Sequence, residues 1–557
     1  MNKIFKVIWS KSKQCYIVVS EIAKNKTGKK KIVVASILAA LAMASSVQDV
    51  SAVTGSGGTN NFSNAGSGVS FKQGEGLAIG TNATVASGNT NTVAIGVASV
   101  ANGSSSFAAS GGSTASGKDG QIAIGWSSTN GKGAVAIGGT SDTASGRDTR
   151  ATGTSAVALG VGSAANGSNA FVASGGSATG NNAIAISGGT ANGNGSIAIG
   201  WQTNAKNDAT AVGSNAQATD KDSVAVGKNS NAAGESATAV GSSATVSGRG
   251  GVAVGWNAES AVNAVGVGFN AKAKANNTVA IGVEANNDKV NAISNNYSSV
   301  SVGVATRARA VGSMAMGVSA DASGNYSIAL GSGDVRGDFT ANANYPKATG
   351  EKAIAIGYDG QALNINATAV GSEAHATGKQ SAAYGFKSQA SEQDATAIGS
   401  NAIASAVRTT ALGVNAQALG SNSVAIGGGA GGTNVVGFAE ELKADGGDIT
   451  RLNRNINIAT TAEGDNAVAL GYYANAANGG VAIGQTSIAA TGGVALGQRV
   501  LEDTGNKYAS AVVIGQDSTA KGTYSVSIGR QTITKGSTSL AMGNGASANG
   551  DYSVAMG

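Results

Sequence analysis

A four-residue pattern, an apolar residue, alanine, a second apolar residue and glycine, recurs along this chain from Leu77-Ala78-Ile79-Gly80 to Val554-Ala555-Met556-Gly557. Its spacing constrains the fold more than any other feature. Gly213, Gly227, Gly241 and Gly255 are fourteen residues apart, as are Gly357, Gly371, Gly385, Gly399, Gly413 and Gly427. Elsewhere the step slips to thirteen, fifteen or sixteen, and three copies end in serine: Phe107 to Ser110, Phe171 to Ser174 and Ile184 to Ser187. With 86 Gly, one Pro and one His among 557 residues, and only 4% aromatic side chains, an ordinary globule of mixed domains is not expected. Stacked equivalent units are.

Residues 223–234 show the logic of one unit. Val224-Ala225-Val226 has the period-2 alternation of a strand, and it is apolar on both faces, as in a parallel sheet buried on both sides. The second half of a unit, as in Asn215-Ala216-Gln217-Ala218, alternates small apolar with polar residues and reads as a strand with one wet face. Gly and Asn between the halves supply the positive φ angles of tight corners. The pattern therefore predicts an all-β fold, a parallel β-solenoid of about 14-residue coils, each advancing about 4.8 Å, with roughly thirty coils making a rod on the order of 140 Å long. Val and Ile are expected to face the thin coil interior, opposite the Ala of the second strand. The Ala column of the first strand is then left to face other copies of the chain around an axis.

The chain opens differently. The net charge of +6 is concentrated in residues 1–52, which hold nine Lys against Glu21 and Asp49, so the repeat region is close to neutral and offers no basic face for nucleic acid. Lys29-Lys30-Lys31 meets an apolar run, residues 32–44, too short to span a bilayer comfortably and of the right length for a secretory signal. Small residues suited to cleavage follow at Ala42-Met43-Ala44 and at Val50-Ser51-Ala52, and Ala52 is the preferred candidate. The preceding text, MNKIFKVIWSKSKQCYIVVSEIAKNKTGKKK, resembles the extended signal region of many autotransporters and large exported adhesins of Gram-negative bacteria. That resemblance implies a segment that tunes export and is removed. Cys15 lies inside it, so the exported chain is expected to carry no thiol and no disulfide.

The Ser-Val-Ala-Ile-Gly unit at Ser423 to Gly427, with its following Ala-x-Ala elements, is similar to the head repeat of the YadA-like trimeric autotransporter adhesins, over roughly residues 74–557. The resemblance implies a left-handed parallel β-roll, a homotrimer, and display at the cell surface on an outer-membrane anchor. It implies no cofactor and no catalysis. Domain organisation is expected as an extended signal over 1–52 (a polar front at 1–31 and an apolar segment at 32–44), a lead-in over 53–73, head repeats over 74–427, an insertion over 428–465 and further repeats over 466–557. Because the text stops in the middle of a unit at Val554-Ala555-Met556-Gly557, the neck, stalk and membrane barrel of the family are expected to lie outside it. The implied function is attachment to host cells, extracellular matrix proteins or receptors, or other bacteria. A structural surface or biofilm-matrix fibre without a specific receptor is the alternative.

Candidate working surfaces lie where the period fails, because extra residues leave the coil as loops while the flanking strands still pair. Such intervals separate Gly138 from Gly160, Gly282 from Gly303, Gly331 from Gly357 and Gly427 from Gly471. The last contains Phe438-Ala439-Glu440-Glu441-Leu442-Lys443, which suits a helical turn. The interval before Gly357 contains Arg336-Gly337-Asp338, a candidate receptor-binding tripeptide resembling the integrin-recognition motif, in which the carboxylate reaches a receptor-held divalent cation. A three-residue string in a glycine-rich loop also arises by composition alone. Trp126, Trp201, Trp256, Phe269, Tyr358, Phe386 and Tyr472 follow the corner glycine and are expected to cover corners or a subunit boundary, with only Trp256 and Phe269 on adjacent coils. His375 occupies the wet position of an Ala-x-Ala strand, and with one imidazole neither a zinc site nor a Ser-His-Asp arrangement is expected. A hexapeptide-repeat acyltransferase is disfavoured by the fourteen-residue step, and a disordered chain by alternation kept in register over hundreds of residues.

Overall fold

The computed structural model describes residues 5–10, 15–20, 61–64, 67–72, 76–86, 88–111, 113–114, 118–139, 148–285, 298–333, 344–429, 459–502 and 510–557. They fall into two units, residues 1–60 and 61–557. In the first, Phe5–Ser10 and Cys15–Ser20 pair as an antiparallel hairpin, Phe5 opposite Ser20.

The second unit is a β-solenoid, and among its described residues there is no helix. Each coil supplies one three- to five-residue strand to a first sheet and one short strand, usually of two residues, to a second. The first sheet is parallel from Gly76–Ile79 to Val554–Met556. The second comprises a 14-stranded segment from Thr84–Val85 to Lys272–Ala273 and a 15-stranded segment from Arg307–Ala308 to Ser547–Ala548. Register is maintained by type: Ala211, Ala225 and Ala239 lie opposite one another, as do Val212, Val226 and Val240.

Which face is inside is the reverse of the sequence expectation. Ala225 is 0% exposed and lies in the coil interior, as do Ala232, Ala239 and their equivalents, whereas Val224 and Val226 are half-buried and face outward. The expected placement of the Ala column between copies is therefore corrected: the core is alanine against alanine. The reason is the shortness of the corners. Only Gly227, Lys228, Asn229 and Ser230 separate the strands Val224–Val226 and Asn231–Ala232, so the sheets are held too close for two branched side chains to meet. Where a larger residue does enter, glycine makes room. A Cβ on Gly251 would lie 2.7 Å from Val246 Cγ1, and one on Gly493 would overlap the Glu502 carboxylate.

Each coil turns twice, and each turn is closed by a backbone bond: Ser230 N donates to Gly227 O (3.3 Å) and Ala237 N to Gly234 O (3.1 Å). The third residue of each turn is left-handed, Asn229 with φ 56° and Ser236 with φ 55°. The fourth side chain points into the core and is usually alanine, serine or threonine. A hydroxyl is tolerated there because it bonds back to the carbonyl three residues earlier, as Ser381 Oγ does to Gly378 (2.7 Å) and Thr409 Oγ1 to Ala406 (2.7 Å). Ala395→Ser, whose hydroxyl would reach Glu392 O, is expected to change the unfolding free energy by no more than about 0.5 kcal/mol in urea titration.

In the first sheet the insertions leave the ladder intact, as expected from sequence, whereas among the described residues the second sheet is interrupted between Lys272–Ala273 and Arg307–Ala308, around the Gly282 to Gly303 interval. Val135 pairs with Val157, Val279 with Val300, Ile328 with Ile354 and Val424 with Val468 across the four long intervals. The approach to the first coil was not foreseen. Asn61–Asn64 pairs antiparallel with Ser67–Lys72, which pairs antiparallel with Gly76–Ile79 and so occupies the open edge of the parallel sheet. A covered edge resists strand addition by another molecule.

Candidate functional site

Function in a solenoid resides on its outer surface, and here the two sheets present two distinct faces. The outward face of the first sheet carries two columns of Val, Ile, Leu or Thr per coil. In the single chain many of these stay open to water, with Ile95, Ile281, Met316, Leu412, Ile426 and Met542 at 38–40% exposure. So long an apolar stripe marks a contact surface rather than a solvated one.

The residue after each corner glycine forms a third column beside the other two. Trp126, Trp201, Trp256, Phe269, Phe386 and Tyr472 are exposed there, and Tyr358 is half-buried, which places the sequence-selected aromatics at corners as expected. Trp126 and Trp201 lie against the glycine of the preceding coil: a Cβ on Gly111 would be 3.1 Å from Trp126 Cε2, and one on Gly188 3.0 Å from Trp201 Cε3. Trp256 and Phe269 stack with centroids 4.8 Å apart. Tyr472 bonds Tyr473 through their hydroxyls (2.9 Å), and that bond pushes the pKa of the Tyr472 phenol above its ordinary value.

The outward face of the second sheet is polar. Arg307, Asp321, Lys347, Gln361, His375 and Gln389 stand in register on successive coils. His375 is half-buried and its Nε2 lies 3.4 Å from Oδ2 of Asp359, whose Oδ1 accepts a bond from Gln361 (2.8 Å). Asp321 is buried under an ion pair with Arg309, Nη2 to Oδ2 2.6 Å. The repeat pattern gave no sign of either acidic residue, since one replaces the usual corner Asn and the other occupies a freely variable position. Among the described residues no group of three or more His, Cys, Asp or Glu converges to hold a metal, and no helix is long and apolar enough to cross a membrane. The candidates Ala52 and Arg336-Gly337-Asp338 lie outside the described residues, as do residues 430–458 of the expected 428–465 insertion, 438–443 among them, while Thr461–Ala462 already belongs to the second sheet.

The repeat sequence and the opening segment each match a known family model. Residues 1–48 match the extended signal peptide of the type V secretion system. The YadA head domain repeat matches residues 151–171, 190–203, 205–230, 232–258, 260–285, 308–333, 348–374, 362–388, 376–402, 404–430, 458–474, 462–487, 509–532 and 535–557, which together span more than half of the chain. The chain belongs to the YadA-like trimeric autotransporter adhesins. No individual curated protein matches it. Membership places the adhesin at the surface of a Gram-negative bacterium, exported through its extended signal. It also makes the solenoid a head domain.

Proposed function

We propose that three copies of this adhesin bundle through the outward Val/Ile face of the first sheet, as a left-handed β-roll trimer anchored by a separate outer-membrane domain. The polar second sheet and the loop insertions are then turned toward host cells, matrix proteins or other bacteria. The observation that carries this reading is the outward apolar stripe, which a lone chain leaves in water from Ile95 to Met556. Replacing Val424, Ile426, Val468 and Leu470 by Ser removes four apolar side chains from two adjacent coils, each worth about 1 to 2 kcal/mol where a partner covers it. The expected outcome is a large loss of trimer in sedimentation with circular dichroism retained. A wild-type exported chain that sediments as a stable monomer would refute the assembly.

We propose no catalytic role, because the one imidazole sits beside Asp359 on an open polar face rather than in a cleft. Attachment is tested by displaying the head on a non-adherent cell, screening it against a matrix-protein array, and deleting residues 430–458, which leaves the second-sheet strand Thr461–Ala462 in place. Loss of one partner places the site in that insertion. Asp338→Glu lengthens the acidic arm of the Arg336-Gly337-Asp338 tripeptide and is expected to reduce host-cell attachment at least about tenfold if an integrin-type cation site reads it. Unchanged attachment removes that tripeptide from the reading. Self-association without any bound partner would favour the matrix-fibre role instead.

A further inference from the structure

The third outward column is polar or empty along most of the rod: Ser214, Lys228 and Ser242 on three successive coils, Gln485, Gln498, Gln516 and Arg530 on four others. One block differs. On five successive coils the column reads Trp256, Phe269, Val283, Val304 and Val318. The backbone places these residues in line. Trp256 O accepts from Asn270 N (3.0 Å), Phe269 O from Glu284 N (2.8 Å), Val283 O from Ala305 N (2.8 Å), Val304 O from Ser319 N (2.9 Å) and Val318 O from Gly333 N (2.8 Å). The same ladder runs through the preceding outward position, with Val254 O accepting from Gly268 N (2.8 Å) and Val267 O from Gly282 N (2.7 Å). Strand alternation therefore puts the third column on the same face as the first two.

The apolar face is thus three side chains wide from Val252 to Val318: Val252-Val254-Trp256, Val265-Val267-Phe269, Val279-Ile281-Val283, Val300-Val302-Val304 and Met314-Met316-Val318. No other two consecutive coils are apolar at all three positions. Trp256 is 50% exposed and Phe269 44%, although they stack on each other, so the widest apolar section of the rod ends in two large open rings.

We propose that this block, Val252 to Val318, is the clamp at which copies of the chain hold each other most tightly, with Trp256 and Phe269 seated against a neighbouring copy. The inference rests on the trimer reading above and specifies where along the rod its strength lies. Continuity decides the occupant. A sugar or a receptor peptide is recognised by rings set among hydrogen-bonding groups, whereas these rings extend an uninterrupted valine and methionine face that already requires a second chain. Buried rings contribute more per residue than the valines around them, so the block should control how readily the assembly opens.

The test compares two triple variants of the full exported chain. Trp256→Ser, Phe269→Ser and Val283→Ser cut the clamp on adjacent coils, while Val161→Ser, Val414→Ser and Tyr472→Ser remove third-column residues from isolated coils. Circular dichroism confirms that both fold. The clamp variant is expected to raise the half-dissociation concentration at least about tenfold more than the scattered variant. Trp256 in the exported chain with Trp126 and Trp201 changed to Phe is expected to be protected from acrylamide quenching in the trimer and open to it in the dissociated chain. Equal weakening by the two variants, or a Trp256 equally quenchable in both states, overturns the clamp while leaving the trimer standing. So does a clamp variant with unchanged assembly but lost ligand attachment, which would make the rings a receptor site. A monomeric wild type would instead defeat the reading on which the clamp depends.

Discussion

Ala397→Leu is expected to unfold the coils around it, at a cost of at least about 3 kcal/mol, in contrast to Ile398→Leu one residue along, which should leave the single chain nearly unaffected. Ala397 is fully buried between Ala383 and Ala411 in the first sheet, and Ala390 and Ala404 are buried in the second. Three added carbons have no space between sheets joined by so few corner residues. The strain also spreads, since a coil contacts only its two neighbours and has no other part of the core to relax into. Ile398 faces outward at 38% exposure, and a change of branching there meets solvent in the single chain. Urea unfolding followed by circular dichroism gives both numbers. If Ala397→Leu instead left the chain folded and dissociated the trimer, the alanines would lie between copies and the inside-out assignment would fail.

That assignment separates what the sequence revealed from what it hid. The period, the two strands per coil, the corners and the looping-out of insertions all follow from spacing, because each depends on local backbone chemistry and on strands that must pair. The wet position of Gln217 and His375 follows from alternation. The direction of the Val-Ala-Val strand did not follow, since alternation states that the two faces differ and is silent on which is enclosed. The habit of placing the larger apolar side chain inside is sound for sheets packed about 10 Å apart and misleads for a coil this thin. The decisive clue was volumetric. The inward position of the second strand is alanine in most coils, as at Ala218 and Ala232, and where valine stands there a glycine makes room, as Gly251 does for Val246. The apolar clamp was hidden for a related reason. Reading aromatics alone yields only the pair Trp256 and Phe269, whereas reading every residue after a corner glycine adds Val283, Val304 and Val318.

The corner glycines carry the second large effect. Gly399→Ser is expected to destabilise the head by about 3 to 5 kcal/mol, although serine already ends three of the repeats. Gly399 has φ 132°, and a Cβ on it would lie 2.3 Å from the carbonyl oxygen of Gly413 in the next coil, so both conformation and stacking forbid a side chain. The natural serines escape because their corners are built differently. Ser110, Ser174 and Ser187 adopt φ 55–58°, a left-handed angle that serine tolerates, and each is followed by two glycines. From Ser174 to the second-sheet strand Ser177–Ala178 there is also one residue fewer than from Gly399 to Ile403–Ala404. Length and angle are therefore coupled: a serine corner requires the shorter turn. Replacing residues 399–402 by the three-residue sequence Ser-Gly-Gly should accordingly recover most of the stability lost in Gly399→Ser, despite removing a residue from a continuous ladder. The neighbouring coils can accept the change, since the short corner at Ser174 pairs in register with the longer one after Gly160, Ala164 opposite Ser177 and Ala165 opposite Ala178. Thermal unfolding of the two variants side by side decides the matter. If the shortened corner is no more stable than the point substitution, the serine corners owe their tolerance of serine to something other than turn length.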